Sequence, residues 1–168
     1  MPLTHEQVVQ VYDAELTHNE EKINIDRFYN GPWTKDMDAN PYTEYSFKVF
    51  GRNCYIKRMP QGHWCGYVSI INVVFPLNEN GEPLEYDMFL DVHGGITGGG
   101  KYDHDDIIGF DTTHRGDMYP KRKDIDIEAG LEKTTYRDFD WVKIETGWLA
   151  FQLSKLVPAA GEAADTVV

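Results

Sequence analysis

Cysteine, cationic side chains and long hydrophobic runs are all scarce in this chain of 168 residues. Only Cys54 and Cys65 are present, and in a reducing compartment two thiols serve as core residues or reactive groups, so no disulfide is expected. Lys and Arg number 16 against 28 Asp and Glu, giving a net charge of −12 and a pI of about 4.8. Counterion release needs clustered cations, so non-specific binding to DNA or RNA is not expected. The main basic cluster, Lys121-Arg122-Lys123, is followed at once by Asp124, Asp126 and Glu128 and reads as self-neutralising. The longest apolar run, Tyr67 to Leu77, is broken by Ser69, Asn72 and Pro76 and is far shorter than the about 20 residues of a membrane span. No membrane partner is expected. The opening Met1-Pro2-Leu3-Thr4-His5-Glu6 has neither a basic nor an apolar leader region, so the expected location is cytoplasmic.

What is present is an ordinary globular composition, with 41% hydrophobic and 26% charged residues, which excludes disorder over most of the chain. Thr4 before His5-Glu6-Gln7 reads as a capping box, and Val8, Val11, Tyr12 and Leu16 recur at helical spacing, so a helix is expected over 5–17. Asn30 to Pro41 is rich in turn residues and reads as a loop. Tyr45 to Ile56 reads as a hairpin around Gly51-Arg52-Asn53. Trp64 to Phe75 reads as a long or bent buried strand, and Tyr86 to His93 and Ile107 to Asp111 as two more strands. The intervening Gly94–Gly100 segment reads as a mobile hairpin loop. It is no phosphate cradle, because no helix follows Gly98-Gly99-Gly100. A period of 3.6 from Thr134 to Val157 predicts a long helix, with Gly147 weakening its continuity. These elements predict one α+β domain over 1–157, a mostly antiparallel central sheet flanked by an N-terminal and a long C-terminal helix, with a flexible tail over 158–168.

The densest polar cluster is Asp91 to Thr97 together with Gly109 to Asp117, two hydrophobic strands that end in His or Asp and run into glycines. Glycine lets the backbone turn sharply there, so that polar side chains converge. His93, Asp111 and His114 are candidate ligands for a divalent metal (Zn, Mn or Fe), and His114 and Asp117 are candidate catalytic groups, with Asp117 as the base. Thr97, Arg115 and Cys65 are candidate ligand-binding residues for a small polar ligand. Two alternatives stand beside the metal: a metal-free ligand pocket, and a purely structural turn in which the same groups satisfy one another. Cys65 is also a candidate nucleophile, with His93 or His114 as base and Asp111 as orienter. Its cysteine motif followed by a later His-x-Gly resembles cell-wall cysteine hydrolases, but a strand-like stretch follows Cys65 where they have a helix start.

Gly62-His63-Trp64-Cys65-Gly66-Tyr67-Val68, Val92-His93-Gly94-Gly95-Ile96-Thr97 and Gly109-Phe110-Asp111-Thr112-Thr113-His114-Arg115-Gly116-Asp117, in this order, resemble an uncharacterised family of small bacteriophage and bacterial proteins. The stretch Tyr136 to Val142 and the terminal helix fit the same pattern. The resemblance implies a phage or prophage accessory protein, acting in the host cytoplasm. Two functions are expected from different classes. One is a metal-dependent hydrolase; the other is a non-catalytic anti-defence or host-interaction protein that binds a host protein or sequesters a nucleotide signal.

Overall fold

The structure, a computed structural model, describes residues 15–18, 31–120 and 134–157. Strands β1 (Glu15–His18), β2 (Glu44–Val49), β3 (Arg52–Arg58), β4 (Trp64–Ser69), β5 (Gly98–Tyr102) and β6 (Asp105–Asp111) form one sheet in the order β1-β2-β3-β4-β6-β5. Every neighbouring pair in it is antiparallel. Two short strands, β7 (Asp117–Met118) and β8 (Thr135–Tyr136), pair in parallel beside it. Helix α1 (Thr34–Ala39) precedes β2, and helix α2 (Phe139–Ser154) closes the chain over β3 and β4. The fold is therefore α+β with a mainly antiparallel sheet and a C-terminal helix, as expected.

The two-residue period of the strands explains the core. Cys54 and Ile56 of β3, Val68 of β4, and Ile108 and Phe110 of β6 share the face that α2 covers with Val142, Leu149, Ala150 and Leu153. Gly66 lies on that face between Ile56 and Phe110, where a Cβ would stand 2.1 Å from Thr146 Oγ1 and 2.7 Å from the Phe110 ring. The missing side chain lets the helix backbone approach the sheet. Asp138 caps α2 by accepting a hydrogen bond from Trp141 N at 2.8 Å, with Asp140 in the first turn, and the helix runs unbroken through Gly147.

One buried carboxylate ties the layers together. Asp36 of α1 accepts hydrogen bonds from Arg58 Nη2 (3.1 Å), Trp64 Nε1 (2.8 Å), Phe139 N (3.1 Å), Asn40 Nδ2 (3.0 Å) and the Tyr136 hydroxyl. The Arg58 guanidinium also lies 3.9 Å from the Trp64 ring centroid and donates to Gly62 O and Tyr136 Oη. Burial raises the Tyr136 phenol above its ordinary pKa, which keeps it a donor.

Several expectations change. Of the helix expected over 5–17, residues 5–14 lie outside the described residues, and Glu15–His18 form strand β1 against Tyr45–Lys48. Ladder pairing with an exposed strand edge outweighs the local period there. The loop at 30–41 contains α1. The strand expected over Trp64 to Phe75 is β4 and stops at Ser69, where Arg52 Nη1 donates to the Ser69 and Ile71 carbonyls (3.1 and 2.8 Å). Tyr86–His93 is no strand: it holds a 3₁₀ turn, and its backbone bonds go to helix side chains instead of a ladder. Asp91 N donates to Gln152 Oε1, His93 N to Glu145 Oε1, and Gln152 Nε2 to Asp91 O. Gly98–Gly100, expected as a loop, lies in strand β5. The terminal helix is shorter than expected, since Thr135 and Tyr136 are in β8 and Asp138, not Thr134 or Thr135, caps it.

Replacing Asp36 with Ala strands the Arg58 charge and the Trp64 N–H in the core. Asp36→Ala is expected to lose about 3–5 kcal/mol in urea unfolding, whereas exposed Asp38→Ala stays within about 0.5 kcal/mol; equal losses would remove Asp36 from this role.

Candidate functional site

The three sequence motifs meet at one end of the sheet. Cys65 of β4 is the register partner of Asp111 at the end of β6, and the chain then turns through Thr112–Gly116 into β7. Thr113 N and Oγ1 donate to Asp111 Oδ1 at 3.0 and 2.8 Å, a local turn that Asp and Thr favour. Thr97, just before β5, donates from Oγ1 to Asp111 Oδ2 at 2.7 Å. His114 Nε2 lies 3.2 Å from Asp111 Oδ1. Burial pushes the Asp111 carboxyl up, but the hydrogen bonds from Thr97 and Thr113 outweigh it and leave the pKa below the ordinary value.

A second His–carboxylate pair stands beside this one. His93 Nε2 is 2.8 and 3.0 Å from the two oxygens of Asp117. Asp117 is fully buried and also accepts from Arg137 Nε (3.1 Å) and His114 N (3.0 Å). Burial again raises the carboxyl, and the bonds from His93, Arg137 and His114 N overcome it, so Asp117 stays ionised. The His93 ring meets Trp141 edge to face at 5.0 Å and His114 at 5.5 Å between centroids. Arg137 lies over Trp141 at 4.7 Å. Gly94, at φ +68°, provides the room: a Cβ there would stand 2.1 Å from His114 Nε2.

The structure thus brings His93, Asp111, His114, Asp117 and Thr97 together. Asp117, expected as the base, is fully buried and engages His93 Nε2 through both carboxylate oxygens. Cys65 is 3% exposed, and burial, with Asp111 adding, pushes its thiol up to about 12, so it carries no thiolate near neutral pH. It is a core thiol. Arg115 is exposed on the turn after His114. Among the described residues no group of three or more His, Cys, Asp or Glu side chains is placed to hold a metal ion. The expected donors His93, Asp111 and His114 do not fit one: His93 Nε2 is taken by Asp117, and Asp111 is occupied by three hydrogen bonds from Thr97 and Thr113.

Sequence reasoning missed Arg137, which precedes the cap of α2, and Trp141 and Glu145, which stand four residues apart on one side of the helix. The Trp141–Glu145 spacing was a readable signal. It also missed His63, which is 7% exposed, lies tilted against Tyr119 at 5.4 Å between ring centroids and has no hydrogen-bond partner at Nδ1. Burial, against the opposing pull of Asp111, lowers its pKa to about 4. No protein-family model matches this chain, and no curated protein or solved structure matches it.

His63 makes stability depend on pH. The unfolded chain takes a proton near the ordinary 6.5, the folded protein only near 4, so stability is expected to be level above about pH 6.5 and to fall between there and about pH 4. Asp111 and Asp117 add a further loss at lower pH, because both are held below 3.8. Urea midpoints across pH 3 to 8 check this, and His63→Phe should flatten only the upper window; an unchanged slope there would reject it.

Proposed function

We propose that the protein binds a small polar ligand beside His93 and His114 and hydrolyses it by metal-independent acid–base chemistry. The observation that carries this reading is the clamp on His93: a buried, ionised Asp117, itself held by Arg137 and a backbone amide, engages Nε2 and fixes ring orientation and tautomer. A carboxylate so placed stabilises the imidazolium that forms when a histidine accepts a proton, which is the arrangement a general base needs.

In this reading a water molecule attacks the electrophilic carbon or phosphorus of the ligand and its proton passes to His93 Nδ1, the nitrogen that Asp117 leaves unengaged. The bond to the leaving oxygen breaks with its electron pair, and a protonated His114 supplies the proton that oxygen takes up. His93 returns its proton to solvent and His114 regains one. Thr97 and Thr113 hold Asp111 beside His114, while exposed Arg115 offers a cation to an anionic ligand.

A second reading is a non-catalytic binding protein of phage origin that engages a host factor or sequesters a small polar ligand. One observation favours it: the Asp117 cluster joins the 93, 114 and 137 segments, as a brace for loops would.

A panel of nitrophenyl carboxylate and phosphate esters, assayed with and without chelator, separates these readings. Turnover unaffected by chelator is expected, falling about 100-fold or more in His93→Ala and in His114→Ala and unchanged in Cys65→Ala. No turnover of any ester, or loss of thermal stability alone in the two histidine variants, would sink the hydrolytic reading and leave the binding one.

A further inference from the structure

The described cavity lies beside the His–Asp cluster and not within it. It is an open groove of about 660 Å³ between β5, the start of β6 and residues Ile70 and Tyr86, walled by Ile70, Tyr86, Ile96, Ile107 and Ile108. Thr97 lies at the groove and donates to Asp111, so groove and cluster adjoin. Among the described residues strand β5 is the last strand of the sheet and pairs with β6 alone, and alternate residues of such an edge aim their N–H and C=O groups away from the sheet. Natural edges are blunted by proline, bulky charge or a covering element. This one is Gly98-Gly99-Gly100 followed by Lys101, whose ammonium pairs with Asp106 at 3.6 Å.

The surroundings specify what would fit. Five of the six exposed large hydrophobic side chains among the described residues, Ile71, Val74, Leu77, Tyr86 and Met88, come from the 71–88 segment that continues the groove wall, with Met88 68% exposed. Of these, Tyr86 lines the groove itself. From Met59 to Gly100 the chain has no Lys or Arg but carries Glu79, Glu82, Glu85, Asp87 and Asp91. Asp87 Oδ1 accepts from Ile96 N, which places a carboxylate at the groove itself. The wall is therefore apolar, its own charged residues Lys101 and Asp106 pair with each other, and the further carboxylates belong to the 79–91 segment beside it.

We infer that the β5 edge and its groove dock an extended, cationic and apolar segment of a partner protein as an added strand. The unpaired edge fixes the backbone as extended, the isoleucine-lined groove selects apolar side chains, and the carboxylates select Lys or Arg. A second copy of this chain is the poorer occupant, because it would set two such acidic segments against each other at a net charge of −12 each. The inference is independent of the hydrolytic reading.

Fluorescence anisotropy with the intact protein and a labelled, capped heptapeptide of alternating Lys and Val tests it. Saturable binding is expected that weakens with salt and is at least about tenfold weaker for the same peptide N-methylated at alternate amides, for its Glu and Val counterpart, and for Met88→Asp. Equal binding of the N-methylated peptide would overturn strand addition, and equal binding of the Glu peptide or no binding at all would overturn the docking surface. Sedimentation velocity supplies the other arm. A monomer without peptide is expected, whereas a dimer that the peptide dissociates would make a second copy the true occupant.

Discussion

The buried Asp36 carboxylate is the interaction on which the rest of the molecule depends. An isolated carboxylate in a core is strongly unfavourable, and this one is retained because Arg58, Trp64, Tyr136, Asn40 and the first amide of α2 all point donors at it. Four of the five donors come from different parts of the fold, namely the end of β3, the start of β4, β8 and the start of α2, and Asn40 caps the helix of Asp36 itself. The same contact fixes where α2 begins, and therefore where Trp141 and Glu145 stand against His93. The geometry of the candidate site is set from a residue that is not part of it.

What could be read from the residues alone followed the strength of the local signal. The β2–β3 hairpin, the strand at 107–111 and the terminal helix rest on alternation, turn residues and a 3.6 period that agree with the tertiary structure. Tyr86–His93 alternates as well as any strand, yet no ladder position is open to it, and Glu145 and Gln152 of the helix satisfy its backbone instead. Gly98–Gly100 has no strand propensity at all and becomes a strand because β6 offers an edge. In both places the decision lies with a partner distant in sequence, which local pattern does not contain.

The site was legible as a grouping and less so as chemistry. The glycine-containing turns beside His93 and His114 accompany the convergence of His93, Asp111, His114 and Asp117, although the 86–93 segment is no strand. Burial was not readable from spacing, and burial sets Asp117 beneath His93 and makes Cys65 a core thiol. The four-residue spacing of Trp141 and Glu145 was there to be read, but its importance depends on the 90–93 segment lying along that side of the helix.

The Asp36 contacts also span most of the chain: its partners Tyr136 and Phe139 lie 100 and 103 residues away. During synthesis the antiparallel strands of the middle region emerge and can pair early, since neighbours in sequence are neighbours in the sheet through β4. The helix that covers them, and the Asp36 donors Tyr136 and Phe139 N, emerge only later. Until then a nascent chain holds an uncovered apolar sheet face and a carboxylate short of two of its donors, so commitment to the native state waits for the 134–154 segment.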